Sequence, residues 1–304
     1  MHNEGRVKID QRRFGPLAGL RAKQWWYFEG LDPERKLYYV FLALEAFPAS
    51  YVSLKLINYA TGERWTEDHL GSFQSKAGDG VDVLAQGDWG HVRFCGSAEH
   101  GWDVDVQTPH VTASLRQVVR APLHKNWLLT QHIDYTIQQF VYNTCQGKVA
   151  LNGTETQFSG YGYHEHNWGV QPRHSTAHWL HFWTPDSAGV VLSCMYDAGV
   201  PHHYSFVWRD DPSGGEEFTL HSPAEFTFDP AEPMKPWRVK SPDLALEIQP
   251  ITSHHTRMQI PPVLAYVDVD YYEQMLSVRG TAWVRGQPVE IDGVGKLDHN
   301  WNRW

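Results

Sequence analysis

Apolar residues along this chain recur mainly at every second position, and the spacing of a helix face is scarce. LYYVFLALEA at 37–46 is an almost unbroken apolar run, and YVSLKLINY at 51–59 alternates until Thr61-Gly62 turns it. HVRFCGSA (91–98), WDVDVQ (102–107), VTASLRQVV (111–119) and YTIQQFVYN (135–143) follow at short spacing. KVAL (148–151) then meets Asn152-Gly153, a dipeptide suited to the positive φ angles of a type I′ hairpin. The return strand, TQFSGYGYHEH, leads into the motif that closes the first half.

The second half repeats the plan. WLHFW at 179–183 resembles WWYF at 25–28, and GVVLSCMYD at 189–197 resembles YVFLALEAF. HYSFVWR, EFTFD, LALEI and VLAYVDVDYYE come next, and TAWV (281–284) turns at Arg285-Gly286 into VEIDGVGKLDHNW. The closing motif is therefore written twice, as GYGYHEHNW at 160–168 and as GVGKLDHNW at 293–301, with a gapless offset of 133 residues. A repeat this long points to duplicated domains, not to a solenoid of short units. The domains are expected at 1–172 and 173–304, divided in the polar VQPRHST segment near 170–177. Many short strands with hairpin turns predict an all-β chain of two antiparallel β-barrels, since closure removes exposed strand edges. Proline-rich stretches at 223–242 and 259–262 read as loops.

Composition sharpens this picture. The 304 residues fit two domains, each long enough to bury its own core. A net charge of −9 argues against nucleic acid or an anionic membrane surface as partner. The opening MHNEGRVKIDQRRFG lacks the apolar core of a signal peptide, and no apolar run is long enough for a membrane span. Cys95, Cys145 and Cys194 lack metal-site spacing and fit reduced thiols, so a cytoplasmic protein is expected. The chain carries 14 Trp, 14 Tyr and 13 Phe, residues that favour strands and also line pockets for large apolar ligands.

The early WWYF, the mid-chain GYGYHEHNWG and the weaker second copy together resemble the carotenoid 1,2-hydratase superfamily. That group includes hydroxyneurosporene synthase-like proteins, AttH-like proteins, kievitone hydratase and lipocalin-like fungal Diels–Alderases. The resemblance spans nearly the whole chain. It implies two tandem lipocalin-like (calycin) barrels, with an apolar pocket in a barrel mouth or between the domains. Because such a fold hosts several chemistries, the reaction must be argued from residues.

The repeated motif comes first among these. Alternation puts Glu165 and Asn167 on one strand face and His164, His166 and Trp168 on the other. One reading makes Glu165 and His166 an acid–base pair. The other makes the motif architectural in both copies, with Glu165, His166 and Asn167, and equally Asp298, His299 and Asn300, satisfying backbone groups where each barrel closes. Trp168 and Trp301 would then plug an end. Duplication favours the architectural reading, which moves attention to the unshared positions, where Tyr163 and His164 become Lys296 and Leu297. His164-x-His166, His202-His203 and His254-His255 have no Cys/His framework around them, so no metal is expected.

Acids that end apolar strands come next. Glu45 and Asp197 close matching runs, and an apolar barrel favours the neutral form of a carboxyl, as a general acid requires. Glu45, followed by Ala-Phe-Pro, is the better candidate. His181-Phe-Trp183 followed by Trp208-Arg-Asp210 resembles the His-x-Trp and Tyr-x-Asp of carotenoid hydratases, whose Asp is thought to protonate the alkene. Here Trp208 stands at the Tyr position, and Asp210 also reads as a loop residue. Aromatic faces stabilise the carbocation that alkene protonation creates. The candidate sets are thus Asp210, His181 and Trp183 in the second domain, and Glu45 with Trp26, Phe28 and Tyr163 in the first. His164, Trp179 and Trp208 are further substrate-facing candidates.

No nucleophile elbow, phosphate loop or dinucleotide fingerprint is present, so no cofactor is expected. The expected activity is acid-assisted hydration, dehydration or cyclisation of a C=C bond in an apolar isoprenoid or polyene. A pericyclase working by substrate preorganisation and a non-catalytic carrier of a hydrophobic small molecule are the alternatives.

Overall fold

The computed structural model describes residues 22–46, 49–75, 80–129, 134–170, 173–196, 199–210, 215–260 and 267–303. The chain forms two compact units, Met1–Asn58 with Glu63–Gln171, and Pro172–Trp304 with Tyr59–Gly62. Among the described residues, no helix is long and apolar enough to cross a membrane.

The first unit is built from β1 (Ala22–Asp32), β2 (Leu37–Ala46), β3 (Ala49–Asn58), β4 (Glu63–Ser75), β5 (Val81–Gly87), β6 (Gly90–Ser97), β7 (Gly101–Gln107), β8 (Val111–Val119), β9 (His124–Leu129), β10 (Asp134–Leu151) and β11 (Thr154–Val170). Antiparallel pairing runs in the order β11-β1-β2-β3-β4-β5-β6-β7-β8-β10-β9, and β11 also pairs with β10. That last pairing closes a ring of strands and leaves β9 outside it, bonded to β10. Alternation decides what fills the ring. Trp26 and Phe28 of β1, Tyr39, Phe41 and Ala43 of β2, and Val52 and Leu54 of β3 share one buried core with Phe94, Trp102, Phe140 and Phe158. Burying each large apolar side chain stabilises the fold by about 1.5–3 kcal/mol.

β10 is one strand of 18 residues where the sequence predicts two, YTIQQFVYN and KVAL. A register shift between Phe140 and Asn143 lets it bend. Gly147 then carries it past β8 at a point where a side chain would strike the Ser114 carbonyl.

The second unit comprises β12 (His174–Trp183), β13 (Ser187–Tyr196), β14 (Val200–Arg209), β15 (Glu216–Leu220), β16 (Glu225–Phe226), β17 (Trp237–Ser241), β18 (Leu244–Ile260), β19 (Val267–Val284) and β20 (Gln287–Arg303). Their order is β15-β14-β13-β12-β20-β19-β18-β17-β16. Among the described residues the two end strands are unpaired with each other, so this sheet is a half-barrel. Its core holds Leu180, Phe182, Val191, Val207, Leu276 and Leu297. β12 begins at His174, inside the stretch read as a linker, and β17 lies inside the proline-rich 223–242. In both places the ladder overrides local composition. Residues 259–260 end β18, whereas 261–262 lie outside the described residues.

Both predicted hairpins have the expected backbone, with φ of 49° and 82° at Asn152-Gly153 and 48° and 76° at Arg285-Gly286. The duplicated glycines share a packing role as well. A Cβ at Gly160 would collide with the Leu31 carbonyl oxygen of β1, and one at Gly293 with the Trp183 carbonyl oxygen of β12.

Candidate functional site

β11 sorts the first copy of the motif onto two faces. His164, His166 and Trp168 point into the barrel, opposite Phe28, Trp26 and Gln24 of β1. Burial pushes the His164 imidazole down to about 3. Its Nδ1 donates to the Tyr27 carbonyl at 3.1 Å, so the neutral ring keeps its lone pair on Nε2. The ring stacks on Phe28 at 4.0 Å and lies 4.6 Å from Trp102. His166 stacks on Trp26 at 5.1 Å and meets Trp168 at 4.7 Å.

Tyr163, Glu165 and Asn167 face the other way. The Glu165 carboxylate accepts from Trp25 Nε1 at 3.1 Å and from the Tyr163 hydroxyl and the Asn167 amide. Gln139 donates to the Tyr163 oxygen at 2.9 Å. These bonds run between side chains rather than to the backbone, because the ladders on both sides of β11 already use its N–H and C=O groups. The strand thus separates Glu165 from His166, which are not an acid–base pair.

Glu45 lies on the interior face at the end of β2, half-buried, and accepts from Gln24 Nε2 at 2.5 Å. It therefore shares the barrel interior with Trp26, Phe28 and His164, while Tyr163 does not.

In the second unit the same alternation turns His299 toward the core, where its Nδ1 sits 3.1 Å from His178 Nδ1 beside Phe226 and Phe228. Burial, followed by the neighbouring His299, pushes His178 down to about 4. Lys296, Asp298 and Asn300 occupy the opposite face of β20. Lys296 is 4% exposed, and its ammonium lies 2.7 Å from an Asp298 carboxylate oxygen. Tyr271 of β19 donates to the other oxygen at 2.5 Å. Burial raises the Asp298 carboxyl, the Lys296 charge pulls it down and Glu273 pushes it up, and the net direction is upward. Glu273 stands opposite Asp298 across the β19–β20 ladder.

An aromatic wall adjoins this carboxyl on β12. Trp179 is in register with Asp298, and His181 with Lys296. The His181 and Trp183 rings are 4.0 Å apart, and Trp183 shares a row with Ala188 and Trp208. Asp298 keeps 19% of its side-chain surface accessible and Trp179 is half-buried, so a ligand can reach this edge of the wall.

Asp210 is not part of that group. His181 shares its row with Val190 and Phe206, and Asp210 lies four residues beyond Phe206, about 13 Å along the strand direction. Its backbone N–H donates to the Asp186 carbonyl at 2.7 Å. The motif's last residues diverge: Trp168 is buried, whereas Trp301 is 38% exposed and plugs nothing, and Asn300 accepts from Asn302 at 2.6 Å. Asp197 falls outside the described residues. Sequence reading passed over Glu273 and Tyr271, which no motif flags. Lys296 carried a signal as the unshared counterpart of Tyr163. Among the described residues, no group of three or more His, Cys, Asp or Glu is arranged to hold a metal ion.

Two tandem antiparallel units, one ringed and one a half-barrel, give this chain a fold similar to that of several solved structures. The family model for DUF2804, a domain of unknown function, matches residues 6–304, and the chain belongs to that family. No curated protein matches the sequence. A putative AttH from Nitrosomonas europaea is similar over 91% of this chain and 92% of its own, with a TM-score of 0.60 at 14% identity. Kievitone hydratase from Nectria haematococca is similar over 91% and 88%, with a TM-score of 0.57 at 14% identity. CghA bound to Sch210972 is similar over 92% and 88%, with a TM-score of 0.67 at 10% identity.

Proposed function

We propose that this protein is a cofactor-free enzyme that adds water to a C=C bond of a large apolar isoprenoid or polyene, or forms that bond by removing water from the alcohol, with Asp298 as the acid in the hydration direction. The observation that carries this reading is the Lys296–Asp298 pair beside Trp179, a carboxyl raised mainly by burial at the edge of an aromatic wall. Fold neighbours named as a hydratase and as a complex with Sch210972 support a natural product as substrate class.

In the hydration direction the Asp298 O–H proton passes to one alkene carbon and the π pair forms the new C–H bond. The face of Trp179 stabilises the resulting cation, an effect worth about 0.5–2 kcal/mol. The carboxylate left behind is stabilised by Lys296 and by the Tyr271 hydroxyl. Water adds to the cation and its surplus proton goes to His181, then to bulk water, from which Asp298 is reprotonated. Dehydration is the same path reversed: protonated His181 gives its proton to the leaving hydroxyl, water departs, and the Asp298 carboxylate takes the proton from the neighbouring carbon.

The test is to incubate the protein with a panel of isoprenoid and polyene alkenes and alcohols in 18O-water, reading label uptake by mass spectrometry. Turnover that Asp298→Asn abolishes supports the reading. Turnover unchanged in Asp298→Asn sinks it and favours catalysis by preorganisation.

A further inference from the structure

Inside the first barrel, a row of polar atoms is buried without partners. His166 Nδ1 and Nε2, Trp26 Nε1 and Gln138 Oε1 are all inaccessible and bonded to nothing. The three side chains are neighbours across adjacent strands, with Trp26 of β1 and Gln138 of β10 flanking His166 of β11 on the interior face. His166 and Gln138 are each 2% exposed. A buried polar group left unbonded costs about 1–3 kcal/mol, so a whole row of them calls for a bonding partner.

Burial, reinforced by His164, holds His166 well below the usual imidazole range, so the ring is neutral, with one donor and one acceptor nitrogen. The row then offers two N–H donors, on Trp26 and His166, and a carbonyl acceptor on Gln138. We propose that the interior of the first barrel binds an apolar alcohol, whose hydroxyl takes both N–H bonds on its lone pairs and donates its proton to Gln138 Oε1.

Other head groups fit less well. A carboxylate has no proton for Gln138 and would bring a charge that no member of the row neutralises. A ketone or ether also leaves Gln138 unmet, and a hydrocarbon leaves all of them unmet. The next row inward, Phe140, His164 and Phe28, with Trp102 at 4.7 Å from Phe140, supplies an aromatic surface for the apolar body. This site belongs to the first unit and does not depend on the acid chemistry assigned to Asp298.

The experiment is a tryptophan-fluorescence titration of the full chain with farnesol, farnesyl methyl ether and farnesene. Farnesol is expected to bind roughly ten-fold or more tightly than the ether or the alkene, the worth of about one good hydrogen bond. Gln138→Leu, which keeps shape, should bring farnesol down to the affinity of the ether and leave alkene binding unchanged, and Trp26→Phe, which removes the N–H with part of the ring, should abolish the preference for farnesol over the ether. The response of the His166 ring itself to farnesol should persist in Asp298→Asn, which separates this site from the proposed reaction. Nitrogen-15 NMR of the full chain should show the His166 ring nitrogens shifting on farnesol addition. Equal affinities for the three probes, no binding of any, or a crystal soaked in farnesol that shows only a water on the row would each overturn the proposal.

Discussion

Lys296 and Asp298 form a 2.7 Å ion pair on one face of β20, at the two positions where the first copy of the motif has Tyr163 and Glu165. The geometry is inherited and the chemistry has changed. Glu165 accepts from a tryptophan, a tyrosine and an asparagine, and nothing in that set carries charge. Asp298 has an ammonium and a phenol, with Glu273 opposite. The described bonds to the first carboxyl come from neutral groups, whereas the second carries an ion pair and keeps 19% of its side-chain surface accessible.

Asp298→Asn removes the exchangeable proton and keeps the side chain's shape. We expect kcat to fall by about 10²–10⁴, the usual contribution of a general acid, with Tm close to that of the parent protein. Asp210→Asn, some 13 Å from the row of His181, should retain most activity. Paired assays of the two variants on one substrate decide between the carboxyls.

Lys296→Met probes the partner. The Lys296 charge holds the Asp298 carboxyl down, so losing it leaves that carboxyl higher. The limb of the kcat/KM profile that reports loss of the acid's proton should move to higher pH. A limb that stays in place would mean that Lys296 does not act on the acid.

Gly160 and Gly293 are expected to be purely structural. An alanine at either would press a methyl group into a carbonyl oxygen of the neighbouring strand, which is backbone and cannot swing aside. Each Gly→Ala change should cost about 1–3 kcal/mol or more by urea denaturation. Gly153→Ala and Gly286→Ala have open space around the new methyl and only positive φ to contend with, so their loss should be nearer 1–2 kcal/mol. Equal losses at all four positions would refute the close-approach role.

Much of this fold was legible because strand signals are local. The motif's alternation, the Asn152-Gly153 and Arg285-Gly286 turns and the all-β class follow from period two and turn chemistry. Pairing partners are not local, and there the sequence misled. WLHFW looks like WWYF, yet the strand ladders set Trp26 and His178 opposite the equivalent His166 and His299. The shared Trp-x-x-Phe is therefore slipped by two residues, a shift that keeps every side chain on its face and leaves the pattern unchanged. The same blindness hid the gap between His181 and Asp210, close in sequence pattern but rows apart in the sheet. It also hid Glu273 and Tyr271, which reach Asp298 only through the β19–β20 pairing.

Acid should unfold this protein early, through its buried histidines. His164 is pushed down to about 3 and His178 to about 4, both by burial, whereas the unfolded chain titrates near 6.5. Above about 6.5 both states are neutral at these sites and the folded state pays no protonation penalty. As the pH falls below that value the unfolded chain takes up protons that the folded barrel refuses, and stability is lost until the folded values are reached. Each such ring contributes about 1.4 kcal/mol per pH unit while it acts, and His166, His202 and His299 are lowered in the same direction. Asp298 has the opposite sign: its raised carboxyl contributes stability below the unfolded value, which fades as the pH rises through the folded one. It therefore offsets part of the histidine loss near the bottom of the range. Urea unfolding midpoints taken from pH 7.5 down to 4.5 should fall steadily, and His164→Phe should flatten the curve by one ring's share, about 1.4 kcal/mol per pH unit, even if it lowers stability at neutral pH. Parallel curves for the variant and the parent would show that His164 is charged in the folded barrel.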